Sequence, residues 1–454
     1  MTPATENPPV TSRYRWVICA LLFFSTTFNY MDRQVISYLK EFFCTPASAG
    51  GFGWSNTDFA NLTSAFTGFY AGMTIIAGWV IDRIGTKIGL ALSLTVWSIF
   101  GMLNALVGRT VAMHIVVRSA FGIGEAGNFP ASIKTVAEWF PKRERALATG
   151  IFNSGSNFGA MIAALFVPWC MIHFGDEQGW KMAFILTGAT GFLWLFFWFW
   201  LYEIPTRQKR LSRAEFDYIH VDDEAALADA AVGDKGTVPW IRLFRHRQAW
   251  SFFVGKFMTD GIWWFYLFWL PDYLHKQFGM DKHEVMLPTF IVYGVAIVGS
   301  IGGGSIPMAF IKKGMPVYKA RMTAMLLIAV FPLTVLSAQY FGNVAHFGSM
   351  ASVLAVGVIC IAAAAHQAWS ANLFTTVSDM FPKKAVGSVT GIGTMAGGIG
   401  GVILQKVAGG LTDAFKDTPQ TAYLIMFIIC GLSYLTAWCL IKMLVPRHEP
   451  IKVL

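Results

Sequence analysis

The sequence predicts an all-α integral membrane protein of twelve transmembrane helices arranged as two pseudo-symmetric six-helix bundles. Three observations carry this. Of the 454 residues, 55% are hydrophobic and only 13% are charged, against about 25% charged in an ordinary soluble domain. So much apolar side chain exceeds what a water-soluble fold buries and is placed in lipid. The apolar residues also fall into twelve runs, each near the roughly 20 residues of one crossing, and Lys and Arg concentrate in alternate loops.

The runs cover residues 16–39, 59–80, 88–107, 111–134, 146–170 and 180–202, then 249–274, 285–311, 322–340, 347–378, 387–412 and 420–444. The first contains Asp32 and Arg33 and has no small-residue cleavage site after it, so it reads as a retained helix and not a signal peptide. Between the sixth and seventh runs lies the one long hydrophilic stretch. The expected organisation is therefore an N-terminal bundle over residues 1–202, a cytoplasmic linker over 203–247 and a C-terminal bundle over 248–454. Basic residues after runs two, four, six, eight and ten and at both ends put the termini and the linker on the cytoplasmic side.

The net charge of +9 raises nucleic acid as a partner, but its distribution over alternate loops points to lipid headgroups instead. The six cysteines form no CxxC pair, and all but Cys44 lie in apolar runs, where they act as small packing residues. Neither a metal site nor a resident cofactor is expected.

The halves repeat. TVAEWFPKR from Thr135 aligns without a gap on TVSDMFPKK from Thr376, and the register continues from Thr149, Gly150 and Ile151 to Thr390, Gly391 and Ile392. Parallel repeats of this kind place a substrate site at their interface near mid-membrane.

Few ionisable residues interrupt the runs: Asp32 and Arg33 in the first, Arg118 and Glu125 in the fourth, Lys256 and Asp260 in the seventh, His366 in the tenth. Each is a functional candidate, because a charge at the bilayer centre costs at least about 2.5–3.5 kcal/mol on insertion scales. Arg118 and Glu125 are nearly two turns apart and share a helix face, with Gly122 expected to leave open space between them. Asp32 and Arg33 diverge by about 100°, so one pairs with the fourth helix while the other reaches into the cavity. Lys256 and Asp260, one turn apart, have the spacing of an ion pair.

With both acids ionised, the cluster of Asp32, Arg33, Arg118 and Glu125 is neutral and has little reason to attract an anion. Protonating one acid makes it +1 and frees a guanidinium fork suited to a carboxylate. Proton and anion binding then favour each other, the minimum requirement for proton-coupled anion import. Glu125 is the first candidate for the coupling acid and Asp32 the second. The competing reading is a pair of satisfied ion pairs that lock the first and fourth helices.

GWVIDRIGTK, from Gly78 to Lys87, joins runs two and three and resembles the signature gating loop of the major facilitator superfamily, carried here by Gly78, Asp82, Arg83, Gly85 and Lys87. Gly85 suits a tight turn, Asp82 suits the positive end of a neighbouring helix, and Arg83 and Lys87 suit an anionic leaflet. Thr86 stands where the superfamily usually has a second Arg, which weakens the charge network.

NYMDR from Asn29, Arg118 with GEAGNFP from Gly124, EWFPKRER from Glu138, FNSGSN from Phe152 and HQAWSAN from His366 resemble the anion:cation symporter family within that superfamily, across essentially the whole chain. The combination of the Glu125 segment, Lys256 to Trp264 and the HQAWSAN stretch is most similar to bacterial hexuronate transporters. The resemblance implies a monomeric carrier in the bacterial inner membrane that takes a small anionic sugar acid with protons and needs no cofactor. It implies that Arg33 takes the substrate carboxylate with help from Tyr30, that Asp32 and Glu125 couple the proton, and that Arg118 is poised between them. Galactonate relatives have Gln where this chain has Ser156, followed by Asn157, so the polyol contacts depart from theirs. Thr394 is the equivalent polar position in the eleventh helix. His366, flanked by Gln367 and Ser370, occupies the pseudo-symmetric place of Glu125 and is read as substrate-facing, against the alternative of a satisfied packing histidine. Of the aromatic run from Trp263 to Trp269, Trp264 is the expected cavity-lining member, and Lys256 is counted with the binding residues.

A related organic-anion carrier or exchanger, for galactonate, glucarate or an aromatic acid, is the alternative within transport. A membrane nutrient sensor or enzyme is the alternative outside it; no HExxH, nucleophile elbow or phosphate loop supports an enzyme.

Overall fold

The computed structural model describes residues 13–220, 240–381, 383–447 and 451, and among them every regular element is helical. α1 spans Tyr14–Tyr38, α2 Asn56–Ile84 and α3 Thr86–Leu103. α4 spans Val111–Glu125 and resumes as Asn128–Trp139. The helix Lys142–Leu201 is two helices, α5 and α6, meeting at Gly175, whose φ of 71° suits glycine alone. The second half holds α7 (Arg247–Phe278), α8 (Met286–Lys312), α9 (Val317–Val330), α10 (Met350–Met380), α11 (Lys383–Ala414) and α12 (Pro419–Leu444).

Two expected runs are divided, each at a proline. Residues 111–134 do not form one helix, because Pro130 has no N–H for the carbonyl of Ala126 and its ring crowds that carbonyl. The break is fastened to α1: Ser25 Oγ donates to Asn128 Oδ1 at 2.7 Å, and Asn128 Nδ2 donates to Thr26 Oγ1 at 3.3 Å. The ninth run gives way likewise at Pro332, and the chain continues as a 3₁₀ segment, Phe331–Ser337.

Among the described residues, six helices, counting Lys142–Leu201 once, are long and apolar enough to cross a membrane by length and composition. α1, α2, α7 and α11 fall short because they carry polar side chains that the structure buries inward. These include Asn29, Asp32, Arg33 and Gln34 in α1, Thr63 and Thr67 in α2, Lys256 and Thr259 in α7, and Gln405 and Thr412 in α11. Helices that must hide polar groups from lipid are thus the ones facing the molecular centre.

The halves meet where α2 packs on α11, α5 on α8 and α1 on α7. Small residues permit the first contact: a Cβ on Gly398 would lie 2.2 Å from Ala71 Cβ, and one on Gly409 would lie 2.3 Å from Ala60 Cβ. At the end away from the linker, polar bonds join the halves. Lys40 reaches Asp272 at 2.6 Å, Lys276 donates to Asn56 Oδ1 at 3.1 Å, and Asp413 accepts from Asn56 and from the backbone N–H of Thr57. These bonds close the end away from the linker.

At the linker end, the helix Arg213–Ile219 docks on the first half. Glu215 accepts from the backbone N–H groups of Tyr14 and Arg15, and Arg15 bridges Glu215 and Glu144, each at 2.8 Å.

Candidate functional site

α1 and α4 bring four ionisable side chains together at mid-depth, all buried: Asp32, Arg33, Arg118 and Glu125. Arg33 Nε and Nη2 both approach Glu125 Oε2, at 2.8 and 2.7 Å. Nη2 also donates to Asn29 Oδ1 at 3.3 Å, four residues back on the same helix. The guanidinium is enclosed by aromatic rings, its Cζ lying 4.2 Å from the centroid of Tyr30, 4.7 Å from Tyr70, 5.1 Å from Trp264 and 5.4 Å from Phe66. Desolvated cation–π contacts are worth about 2 kcal/mol and offset part of the cost of burying the charge. Tyr30 and Trp264, both expected site residues, thus lie against the Arg33 guanidinium.

Arg118 is placed differently. It makes no ion pair; its Nη2 donates to the Arg33 carbonyl at 3.2 Å, while Nε and Nη1 are buried without a hydrogen-bond acceptor. Phe66 and Phe121 lie under its Cζ, at 5.0 and 4.5 Å. Neither carboxylate oxygen of Asp32 has a hydrogen bond, and Glu125 Oε1 has none. The cluster is therefore one ion pair and two unsatisfied ions, not two locked pairs. An unmet buried polar group costs about 1–3 kcal/mol, more when charged, so this centre gains from a ligand that brings acceptors to Arg118 and from a proton on a carboxylate.

Gly122 leaves no open space between Arg118 and Glu125. A Cβ there would lie 2.7 Å from the Phe66 carbonyl oxygen; the glycine lets α4 and α2 backbones touch, which carries Phe66 and Tyr70 onto Arg33. On α5, Gly155 and Gly159 do the same against α1, where a Cβ would meet the carbonyls of Phe23 and Thr27 at 2.5 and 2.2 Å. Ser156 and Asn157 are held beside them. Ser156 Oγ donates to its own helix at Asn153, and Asn157 Oδ1 is buried without a donor.

The second-half candidates form a separate group. Lys256 Nζ pairs with Asp260 Oδ2 at 2.6 Å and sits 4.3 Å over the Phe374 ring. His366 Nδ1 meets the Tyr434 hydroxyl at 2.7 Å, and its ring stacks on Trp263 at 5.1 Å and 4°. Gln367 and Ser370 are half-buried, and Thr394 donates to the Thr390 carbonyl at 3.1 Å.

In the gating loop, Gly85 has a φ of 84° and ends α2 as α3 begins. Lys87 does not reach toward lipid headgroups: it pairs with Glu203 at 2.7 Å, and the hydrogen bond it donates holds the Glu203 carboxyl below the usual range. Thr86 supplies a neutral bond in place of the missing Arg, donating to Glu138 Oε1 at 2.7 Å. Arg83 lies over the Trp79 ring at 3.9 Å, and Gly78 faces Pro130. The Asp82 side chain lies outside the described residues.

Composition and spacing did not reveal the aromatic enclosure by Phe66 and Tyr70, the Tyr434 partner of His366, or the Lys40–Asp272 bond. Asp272 falls inside the seventh run and carried the only available signal for that bond.

Residues 22–405 match the sequence model of the Major Facilitator Superfamily. A hexuronate transporter of Escherichia coli (strain K12) is 30% identical over 429 residues, covering 94% of each chain. A galacturonate transporter of Dickeya chrysanthemi is 32% identical over 298 residues, 66% of this chain and 83% of that one. A D-galactonate transporter of Escherichia coli O6:H1 is 26% identical over 437 residues, 94% of this chain and 96% of that one. Among solved structures, a bacterial homolog of the human lysosomal transporter Spinster superposes with a TM-score of 0.73 at 18% identity, over 98% of this chain and 100% of that one. A D-xylose–proton symporter superposes at 0.69 and 16% identity, over 97% of this chain and 100% of that one. At these identities the superpositions show the fold.

Proposed function

This chain belongs to the Major Facilitator Superfamily, as a multi-pass membrane transporter and not an enzyme, and from that premise we propose that it imports a sugar acid, a hexuronate such as glucuronate or galacturonate, together with protons. The carrier works as a monomer in the bacterial inner membrane, with its termini and linker in the cytoplasm. On that orientation the end closed by Lys40, Asp272, Asn56 and Asp413 is the outer one. The names of the relatives, hexuronate, galacturonate and D-galactonate transporters, support the substrate class.

The observation that carries the mechanism is the Arg33–Glu125 pair beside an unfilled Arg118. Glu125 and a substrate carboxylate compete for one guanidinium. While Glu125 is ionised it holds Arg33, and the four-residue cluster is neutral. A proton on Glu125 removes its claim on Arg33, raises the cluster to +1, and lets a carboxylate bridge Arg33 and the free donors of Arg118 with charge-assisted bonds. By linkage, protonation strengthens anion binding and anion binding strengthens protonation by the same factor. Asp32, also without a donor, is a second station for the proton. Tyr30 and Trp264 pack the sugar ring; Ser156, Asn157, Thr394, Gln367, Ser370 and His366 offer polar contacts for its hydroxyls.

Uptake by the purified protein in proteoliposomes tests this. An inward proton gradient is expected to drive accumulation of glucuronate or galacturonate, and uptake indifferent to that gradient would contradict the coupling.

A further inference from the structure

The two buried ion pairs of the molecule's centre, one in each half, are not equivalent. Arg33 and Glu125 come from different helices, and next to them a second cation, Arg118, has unmet donors. Lys256 and Asp260 come from one helix turn of α7, and no further cation in that group lacks a partner: His366 is stacked and bonded. Resting on the reading of the chain as a sugar-acid carrier, we infer that Asp260 is a specificity-determining residue that restricts the carrier to sugar acids with one carboxylate and excludes aldaric diacids.

The argument is one of charge and place. Lys256, Asp260 and Trp264 stand at i, i+4 and i+8, on one face of α7, and Trp264 covers Arg33. Asp260 therefore stands one turn, about 6 Å of helix rise, from the Trp264 ring that covers Arg33, the scale of a six-carbon chain. A sugar acid whose carboxylate is held at Arg33 extends its far end toward this pair. Asp260 occupies the one strong donor there. The Lys256 ammonium is 2.6 Å from its carboxylate, and the Phe374 ring covers another side. What remains is a neutral pair with a carboxylate one-fifth exposed, which accepts hydroxyl donors and opposes a second negative charge.

The fold keeps Asp260 in place. Gly397 of α11 leaves room for it: a Cβ there would lie 2.5 Å from Asp260 Oδ2. Asp260 thus packs against the glycine backbone of α11 while it pairs with Lys256.

The test is a competition panel on the full chain in proteoliposomes, with labelled glucuronate displaced by galacturonate or by the diacids glucarate and galactarate, and ligand-induced thermal shift on the same purified proteins. The wild type is expected to prefer monoacids. Asp260→Asn frees the Lys256 ammonium and is expected to raise the diacid-to-monoacid preference by about tenfold or more, the scale of one charge-assisted hydrogen bond. Asp260→Glu restores the wild-type ratio, and Lys256→Met combined with Asp260→Asn keeps the monoacid preference because no free cation appears. Thermal shift reads binding even where a variant no longer cycles, and Gly397→Ala, which displaces the Asp260 carboxylate, shifts the ratio in the same direction should Asp260→Asn fail to fold. A wild type that takes diacids as readily as glucuronate, or an unchanged ratio in Asp260→Asn or Gly397→Ala, overturns the inference. A wild type that takes neither class of sugar acid overturns the functional reading beneath it.

Discussion

Arg33 Nε donates to Glu125 Oε2 at 2.8 Å and Nη2 lies 2.7 Å from the same oxygen, while the other oxygen of Glu125 is buried without a donor. A carboxylate held this way has spare capacity for a proton, and the guanidinium it holds is the group a substrate carboxylate needs. Glu125→Gln mimics the protonated form permanently. It is expected to abolish gradient-driven accumulation of hexuronate while retaining exchange of labelled for unlabelled substrate. Concentrative uptake at the wild-type level in this variant would remove Glu125 from the coupling role.

Arg33 carries structural weight beside its proposed role with substrate. Removing it leaves the Glu125 carboxylate buried and unpaired, which costs about 3–5 kcal/mol. Arg33→Gln is expected to lower the thermal stability of the detergent-solubilised protein, and Arg33→Gln combined with Glu125→Gln is expected to recover most of the loss. Both variants lose substrate affinity by about a hundredfold, the scale of a truncated buried charge pair. Additive destabilisation in the double variant would contradict the pairing.

At the end away from the linker, Asp272 takes Lys40 from the first half and, within its own half, Lys276 and the Tyr423 hydroxyl. Asp272→Asn strands the buried Lys40 ammonium, so the closed state loses relative to the state open at that end. The expected readout is faster labelling by an impermeant maleimide of a cysteine placed at Thr63, on a background free of other cysteines. Labelling as slow as in the parent would show that α2–α11 packing closes that end without this network.

The Lys87–Glu203 pair at the gating loop gives a pH prediction of known sign. Lys87 depresses the Glu203 carboxyl, so the pair's contribution is present above the ordinary carboxyl pKa and is lost as pH falls through the depressed value. Both side chains are about a quarter to a third exposed, at 26% and 33%, and solvent limits the effect to less than about 1 kcal/mol. Lys87→Met should slightly flatten the acid limb of thermal stability; a large loss at neutral pH would mean the pair locks the fold.

The architecture was legible because lipid imposes it: apolar length, alternate basic loops and the Thr135/Thr376 repeat leave few other arrangements. The divisions at Pro130 and Pro332 were not legible: Pro168, Pro271 and Pro307 also sit inside apolar runs, and their helices continue. The pairing of the central charges was not legible. Spacing placed Arg118 and Glu125 on one face of α4, but the partner of Glu125 is decided by how close α1 comes. That approach depends on Gly155 and Gly159 of α5, whose role appears only when both backbones are in place. Gly122 was misread for the same reason: a missing side chain looks like space in a sequence and like contact in a packed helix pair. Lys87 was assigned to lipid because Glu203, more than a hundred residues away, gives no local sign of being its partner.

The central claim is that a proton on Glu125 and a substrate carboxylate on Arg33 arrive together. Proton uptake on ligand binding measures this directly: galacturonate is added to purified protein in weakly buffered detergent solution with a pH indicator. The wild type is expected to take up about one proton per ligand bound, as the linkage requires, and Glu125→Gln none. Equal proton uptake by the two proteins would contradict the account.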